Sequence, residues 1–582
     1  MPTLAERTLT CGANLRDAVC DFRVWAPSRE RVTLRLQHDG QWLELQMTPE
    51  GEGYHALTTS ARAGDRYFYV VDGKAVLDPV SRLLPEGVHG PTQIVDPAAY
   101  QWSDIRWNGL DFDHAIIYEL HTGTFSRRGD FEGIIERMHY LRSMLGVTAI
   151  EIMPVVAVPR DEKGRVRNWG YDGVSPYSVE AAYGGPDGLK RLVEAAHASG
   201  IAVILDVVYN HLGNEGNYLG MFGPYFTDRH QTPWGNAIDF SNPEVRRYFI
   251  ENALFWVREY RVDGLRLDAV QTIFDNNDPH ILRDIAAAVH AYGDEAGRKI
   301  WVIAETDEND RRIVRPRSDG GYGLDAMWSD DFHHAVHTVL TGEDKGYYQD
   351  FGRVEQIARA LKEGYVFQGE EFKFWGKPRG TPATDIPLPK NVICIQNHDQ
   401  VGNRAKGDRL CQLTGWAKRR AAAALLLLAP HTPLLFMGEE FDNAPPFQFF
   451  TSYGDPALKE AVRNGRRREF ADFLWDEVPD PEDYGTFLRS QLGWDDVTAE
   501  SEMLNWYQEL IALRKKFVQD ADRTCRAEAA GDTLTMLVPR EQPLVRVDVN
   551  FRGPELPDPG PGFRAVMRAA DEGCAVAVHA AV

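Results

Sequence analysis

The sequence predicts an α/β architecture, a (β/α)8 TIM barrel flanked by an N-terminal and a C-terminal β-sandwich, and three observations predict it. Eight short apolar runs of the buried, parallel kind recur through the middle of the chain. Amphipathic segments lie between them, several closed by a glycine, as helix C-termini prefer. Both ends of the chain instead carry short alternating strands parted by turn-rich pieces. At 582 residues the length suggests three or four domains at about 150 residues each, although a barrel alone takes about 250 or more.

Residues 1–97 hold FRVWAP, RVTLRLQ and RYFYVVDG with turn signals such as PEGEG between them, a small sandwich. DPAAYQWSDIRWNGLDFD reads as a linker into the barrel, residues 98–510. The barrel strands are AIIYEL, VTAIEIMPV, AVILDVVY, VDGLRLDAV, KIWVIAE, DAMWS, NVICIQ and PLLFMG. Helices between them include FEGIIERMHYLRSM, DGLKRLVEAAHASG, EVRRYFIENALFWVREY and ILRDIAAAVHAYG. Over residues 511–582, LTMLVP, LVRVDVNF and AVAVHAAV predict the second sandwich.

A formal net charge of -22 argues against nucleic acid and anionic membrane, which need clustered Lys and Arg. A neutral sugar is compatible with it. The six cysteines (Cys11, Cys20, Cys394, Cys411, Cys525, Cys574) show neither metal nor disulfide spacing. No metal and no cofactor is expected. The N-terminus has no apolar stretch after a basic one, and AAAALLLLAP is too short to span a bilayer, so a soluble cytoplasmic protein is expected.

Barrel chemistry collects at the C-terminal ends of the strands. There the sequence places Asp268 in VDGLRLDAV, Glu305 in KIWVIAET and Asp399 in ICIQNHDQ. Retaining cleavage of a glycosidic bond needs one carboxylate as nucleophile and one carboxylic acid as proton donor, about 5 to 5.5 Å apart. Arg266 shares a strand face with Asp268 and would hold it ionised, as a nucleophile requires. Glu305, beside apolar Ile303, is placed for the burial that raises an acid's pKa. Asp206, Asn210 and His211 end the third strand, and His398 precedes Asp399, a mixture suited to hydroxyls. Trp169, Tyr171, Tyr177, Phe222, Tyr225, Phe226 and Trp234 are candidates for the flat surfaces on which sugar rings stack.

With DVVYNH, GLRLDA, IAE and QNHD in this order at barrel spacing, the chain resembles the α-amylase superfamily. The resemblance implies Asp268 as nucleophile, Glu305 as general acid/base and Asp399 as transition-state stabiliser. It implies Tyr171, His211, Arg266 and His398 as contacts to the cleaved sugar. The segments DPVSRLLPEGVHGP, YELHTGTF, GPYFTDRHQTPWG, HHAVHTVLTGEDKGYYQDF and MGEEFDNAPPFQFFTSY narrow it: they resemble the maltooligosyltrehalose trehalohydrolase family, from about residue 20 to about 475. That family hydrolyses the α-1,4 bond next to the terminal trehalose of maltooligosyltrehalose, and its functional partner is maltooligosyltrehalose synthase. On this resemblance Asp330, Asp331, His334, Gln400, Asn403 and Arg404 line the subsites, and Asp206, Leu267, Ala269, Val270 and Gln271 join the substrate contacts. Gln271 departs from the family, which usually has a His shortly after the nucleophile. A glycogen-branching or debranching relative is the alternative, since such proteins also carry an N-terminal sandwich. A non-catalytic glucan-binding barrel would lack the nucleophile or the acid, and both are present.

Overall fold

The computed structural model describes residues 9–103, 106–469, 478–498 and 501–582. Residues 1–8, part of the stretch read as lacking a leader, and 104–105 of the linker lie outside the described residues.

All eight expected strands form, and they close into one parallel barrel: β1 (Ile117–Leu120), β2 (Ala149–Ile152), β3 (Ala202–Val207), β4 (Gly264–Leu267), β5 (Trp301–Ala304), β6 (Ala326–Trp328), β7 (Asn391–Cys394) and β8 (Thr432–Phe436), with β8 pairing back onto β1. Alternate residues face inward. Ile117, Ala149, Ile204, Trp301, Ile303, Trp328, Val392 and Leu434 fill the interior as a packed core. Gly264 fits closely there: a Cβ on it would stand 3.2 Å from the Ile204 side chain.

Helices α1 (Gly185–Ala198), α2 (Pro243–Glu259), α3 (Ile281–Ala296), α4 (Asp330–Thr341), α5 (Val354–Glu363), α6 (Trp416–Leu428) and α7 (Glu502–Phe517) accompany the strands. α2 shows why they start and stop where they do: the Asn242 side chain accepts from the Glu244 N–H, Pro243 takes the first turn, and Arg258 lies in the last. α3 ends at Gly297, whose φ of 64° is the left-handed cap. The segment FEGIIERMHYLRSM is not one helix, as its periodicity predicts, but a short α-helix over Phe131–Ile135 followed by a π-helical piece, Tyr140–Leu145. Among the described residues no helix is long and apolar enough to cross a membrane.

The N-terminal region is a sandwich of two antiparallel sheets, one built on Val19–Trp25 and Tyr54–Ser60, the other on Thr33–His38 and Arg66–Val71. Phe22 and Tyr67 meet edge-to-face between them, 5.0 Å apart. At the other end the expected antiparallel strands form, but as a single five-stranded sheet and not a sandwich: Arg526–Ala530, Thr533–Val538, Val545–Asn550, Ala575–Ala581 and Phe563–Ala570 in spatial order. α5 and α6 of the barrel take the place of the second sheet. Alternation shows that a sheet face is buried; it does not show what covers that face.

Candidate active site

At the mouth of the barrel one guanidinium organises the acids. Arg266, on β4 and 1% exposed, donates through Nη1 to both oxygens of Asp206 (2.9 and 2.8 Å) and to Asp268 (2.9 Å). Its Nη2 lies 3.1 Å from Glu305. Trp328 of β6 supports it from below, with the guanidinium carbon 4.4 Å over the ring. Three carboxyl groups from three strands thus meet one buried cation. Burial nevertheless raises Asp206 to about 6, against the pull of Arg266 and with Asp268 adding to the rise.

Asp268 receives a second donor, the Asn210 amide, at 2.7 Å. Glu305 sits differently. Ala269 takes a left-handed conformation (φ 40°) immediately after Asp268 and aims its N–H at Glu305 Oε2, 2.6 Å away. Burial pushes the Glu305 carboxyl well above the usual range; Arg266 pulls the other way, while Asp268 and Asp399 add to the rise. A carboxyl group held protonated in this way is placed to act as a general acid.

A second chain of groups runs beside them. Burial opposes a charged His398, but the Glu119 carboxylate on β1 outweighs it and raises the imidazole to about 9. Glu119 accepts from His398 Nδ1 and from its backbone N–H. His398 Nε2 then donates to the Tyr171 hydroxyl (2.9 Å), which donates to Asp206 (2.6 Å). The Tyr171 ring lies flat beside His398, 5.2 Å between centroids. His211 donates through Nε2 to the Tyr171 carbonyl at 3.0 Å, and Trp234 stacks on its ring at 3.8 Å.

Asp399 lies in the first turn of His398–Gly402 and accepts from Asn403, in a cleft shared with Glu305, Gln271, Asp330, His334 and Gln400. The side-chain oxygens of Gln271 and Gln400 and Nδ1 of His334 meet no protein hydrogen-bond partner. Burial and the neighbouring Asp399 raise Asp330 to about 7. Burial lowers His334 well below the usual imidazole range, with His333 and Arg379 adding to it, so the ring is neutral.

Four of the sequence-derived contacts do not face this cleft. Leu267 alternates with Arg266 and Asp268 and is buried in the layer outside the barrel, where Val270 also packs. Val270 instead donates its N–H to the Glu305 carbonyl at 3.0 Å. Asp331 is wholly buried: it accepts from Asn309 and from the Val366 and Phe367 N–H groups and pairs with Arg379 at 3.0 Å. Arg404 is held by both oxygens of Glu343, at 2.6 and 2.8 Å. Ala269 reaches the site by its backbone. Of the candidate stacking rings, Tyr177, Phe222 and Tyr225 are core residues packed on Phe255, Tyr69 and Trp25, and Trp169 is stacked on Phe447. Phe226 is half-buried against the same core.

The cleft also takes in residues the sequence reading missed: Asp307, Tyr347, Phe372, Phe374, Trp375 and Arg379. Three of these come from the short hairpin Glu371–Phe372 and Lys377–Pro378 and its turn. Its signal was the aromatic run FKFW before a glycine; the signal for Glu119 was an acid inside the apolar run AIIYEL, in phase with Ile117.

The family described as alpha amylase, catalytic domain, matches residues 97–223. Malto-oligosyltrehalose trehalohydrolase of Saccharolobus solfataricus is 44% identical over 533 residues, 91% of each chain. The crystal structure of a putative alpha amylase from Salmonella typhimurium superposes with a TM-score of 0.90 at 39% identity, over 98% of this chain and 99% of that one. The 1,4-alpha-glucan branching enzyme of Bacillus caldolyticus is more distant, 32% identical over 74% of this chain and 65% of its own. With an α-amylase barrel, its acids on one arginine, and this identity along nearly the whole length, the chain belongs to the malto-oligosyltrehalose trehalohydrolase family of glycoside hydrolases.

Proposed function

We propose that the protein hydrolyses, with retention, the α-1,4-glucosidic bond next to the terminal trehalose of maltooligosyltrehalose, releasing trehalose and a maltooligosaccharide. The chemistry rests on one observation above all: Asp268 and Glu305, at the ends of adjacent strands, share the buried Arg266 guanidinium, and burial pushes Glu305 well above the ordinary carboxyl range. Family membership supports the substrate.

Glu305, protonated, gives its proton to the glycosidic oxygen on the trehalose side while Asp268 attacks the anomeric carbon. Trehalose leaves and a glucosyl–Asp268 ester remains. Glu305, now a carboxylate, takes a proton from water, which displaces Asp268 and frees the maltooligosaccharide with its original configuration. Asp399, held by Asn403, accepts hydroxyls of the ring as it distorts. The chain of Glu119, His398, Tyr171 and Asp206 fixes the sugar-side donors, and Tyr171 offers its ring to the pyranose. Gln271, Gln400 and His334 have hydrogen-bonding atoms left for the sugars on either side, and Phe374 and Trp375 present flat apolar surface in the same cleft. The protein acts in the cytoplasm, where a synthase that turns the reducing end of maltooligosaccharides into trehalose supplies its substrate.

Offering maltopentaosyl-trehalose and maltohexaose side by side tests this. Trehalose release from the first should far outpace cleavage of the second. Equal cleavage would mark a general amylase, and new branch points a transferase.

A further inference from the structure

Inside the barrel lies a carboxyl group that this reaction does not use. Glu151 stands on β2 two residues beyond Ala149, an interior core residue, so it too points inward. Glu119 and Ile204 are its register neighbours on either side. It is 1% exposed, and neither of its oxygens meets a protein donor. Two donors of the same interior are also without a protein acceptor: Nε of Arg266 and Nε1 of Trp328. These two side chains touch, the guanidinium lying on the indole. Buried polar groups are satisfied by protein or by ordered water, and a buried water needs two to four such partners.

We propose that Glu151 is a positioning residue for the glycosidic reaction: through ordered water in the barrel interior its carboxyl group takes up the Nε–H of Arg266 and the Nε1–H of Trp328, and so fixes the guanidinium that carries Asp206, Asp268 and Glu305. The proposal rests on the glycosidase reading above. Burial, with Glu119 next, holds the Glu151 carboxyl well above the usual range against the pull of Arg266. It is therefore a neutral acid, with one donor and one acceptor for water. It adds hydrogen bonds below Arg266 without adding a negative charge beside the three carboxyl groups already there.

Glu151→Gln keeps a donor and an acceptor of the same shape; Glu151→Leu keeps only the bulk. In the full chain, Glu151→Gln should turn over maltooligosyltrehalose at close to the wild-type kcat. Glu151→Leu should lose kcat by roughly 100-fold, the cost of a misplaced catalytic group, with KM and melting temperature little changed. A high-resolution crystal structure of the wild type should show water between Glu151, Arg266 and Trp328. A dry interior, a Leu variant with wild-type kcat, or a Gln variant as impaired as Leu would each overturn the proposal. If Leu does not fold, the Gln variant and the wild-type structure decide it. A wild type that cleaves maltohexaose but releases no trehalose would instead overturn the substrate assignment, and leave the Gln and Leu comparison to be read on maltohexaose.

Discussion

The chemistry at the residue scale turns on unequal surroundings for equal groups. Asp268 accepts from Arg266 and from the Asn210 amide, which hold its carboxyl group in place. Glu305 shares the arginine but is pushed up by burial and by the carboxylates around it. Asp268→Ala should therefore cut kcat by about 10⁴-fold or more with an unchanged melting curve; near-normal turnover would show that Asp268 is not the nucleophile. His398 gives a prediction in pH. Its pKa rises from 6.5 to about 9 in the fold, so the stability of its pair with Glu119 is complete below pH 6.5 and is lost as pH climbs through about 9. Glu119→Gln should be destabilising in denaturant titrations near neutral pH, and the gap from wild type should close on the alkaline side. A gap that widened with pH would refute a charged His398.

Single elements bring groups to the cleft that are far apart in the chain. The hairpin Glu371–Phe372 and Lys377–Pro378 supplies aromatic wall, and the buried pair of Asp331 with Arg379 ties it down, together with the N–H groups of Val366 and Phe367. Removing one partner of a buried pair strands the other's charge. Asp331→Asn should cost about 3 kcal/mol or more of unfolding free energy and raise KM by loosening Phe374 and Trp375; a variant as stable as the wild type would show that the clamp is not needed. The same contrast governs what was legible. Asp206, Arg266, Asp268 and Glu305 could be placed because strand alternation and the position of a strand end are written in adjacent residues. The resemblance drew Asp331 and Arg404 to the subsites, but Arg404 lies past the end of its helix, and along α4 a helix turns successive side chains by about 100°, so that of Asp330 and Asp331 only the first lines the cleft.

Across the whole molecule, the N-terminal sandwich is fastened to the loop after β3 and to α2. Trp25 meets Tyr225 edge-to-face at 5.3 Å, Arg29 donates to the Met221 carbonyl at 2.7 Å, and Tyr248 donates to the Pro79 carbonyl at 2.7 Å. That loop also carries Trp234, which stacks on His211. A chain lacking residues 1–97 would expose Tyr225 and Phe222, and should be poorly soluble and inactive when assayed beside the full chain; a soluble, fully active truncation would make the sandwich an independent appendage. At the other end Arg514 of α7 caps α6, donating to the carbonyls of Leu427 (2.9 Å) and Ala429 (2.7 Å), so one of the two helices beneath the C-terminal sheet is itself locked to α7.

By itself the sequence determined the eight-stranded barrel, the strand ends that hold the acids, and the retaining chemistry those acids allow, because each is encoded in local periodicity and in residue type at a known position along a strand. Tertiary structure alone decided that Arg266 is shared by three carboxyl groups, that Glu119 charges His398, that a distant hairpin walls the cleft, and that barrel helices replace a second C-terminal sheet. Apart from Arg266 with Asp268, these are contacts between residues tens to hundreds apart in the chain, and no local pattern states which buried face meets which.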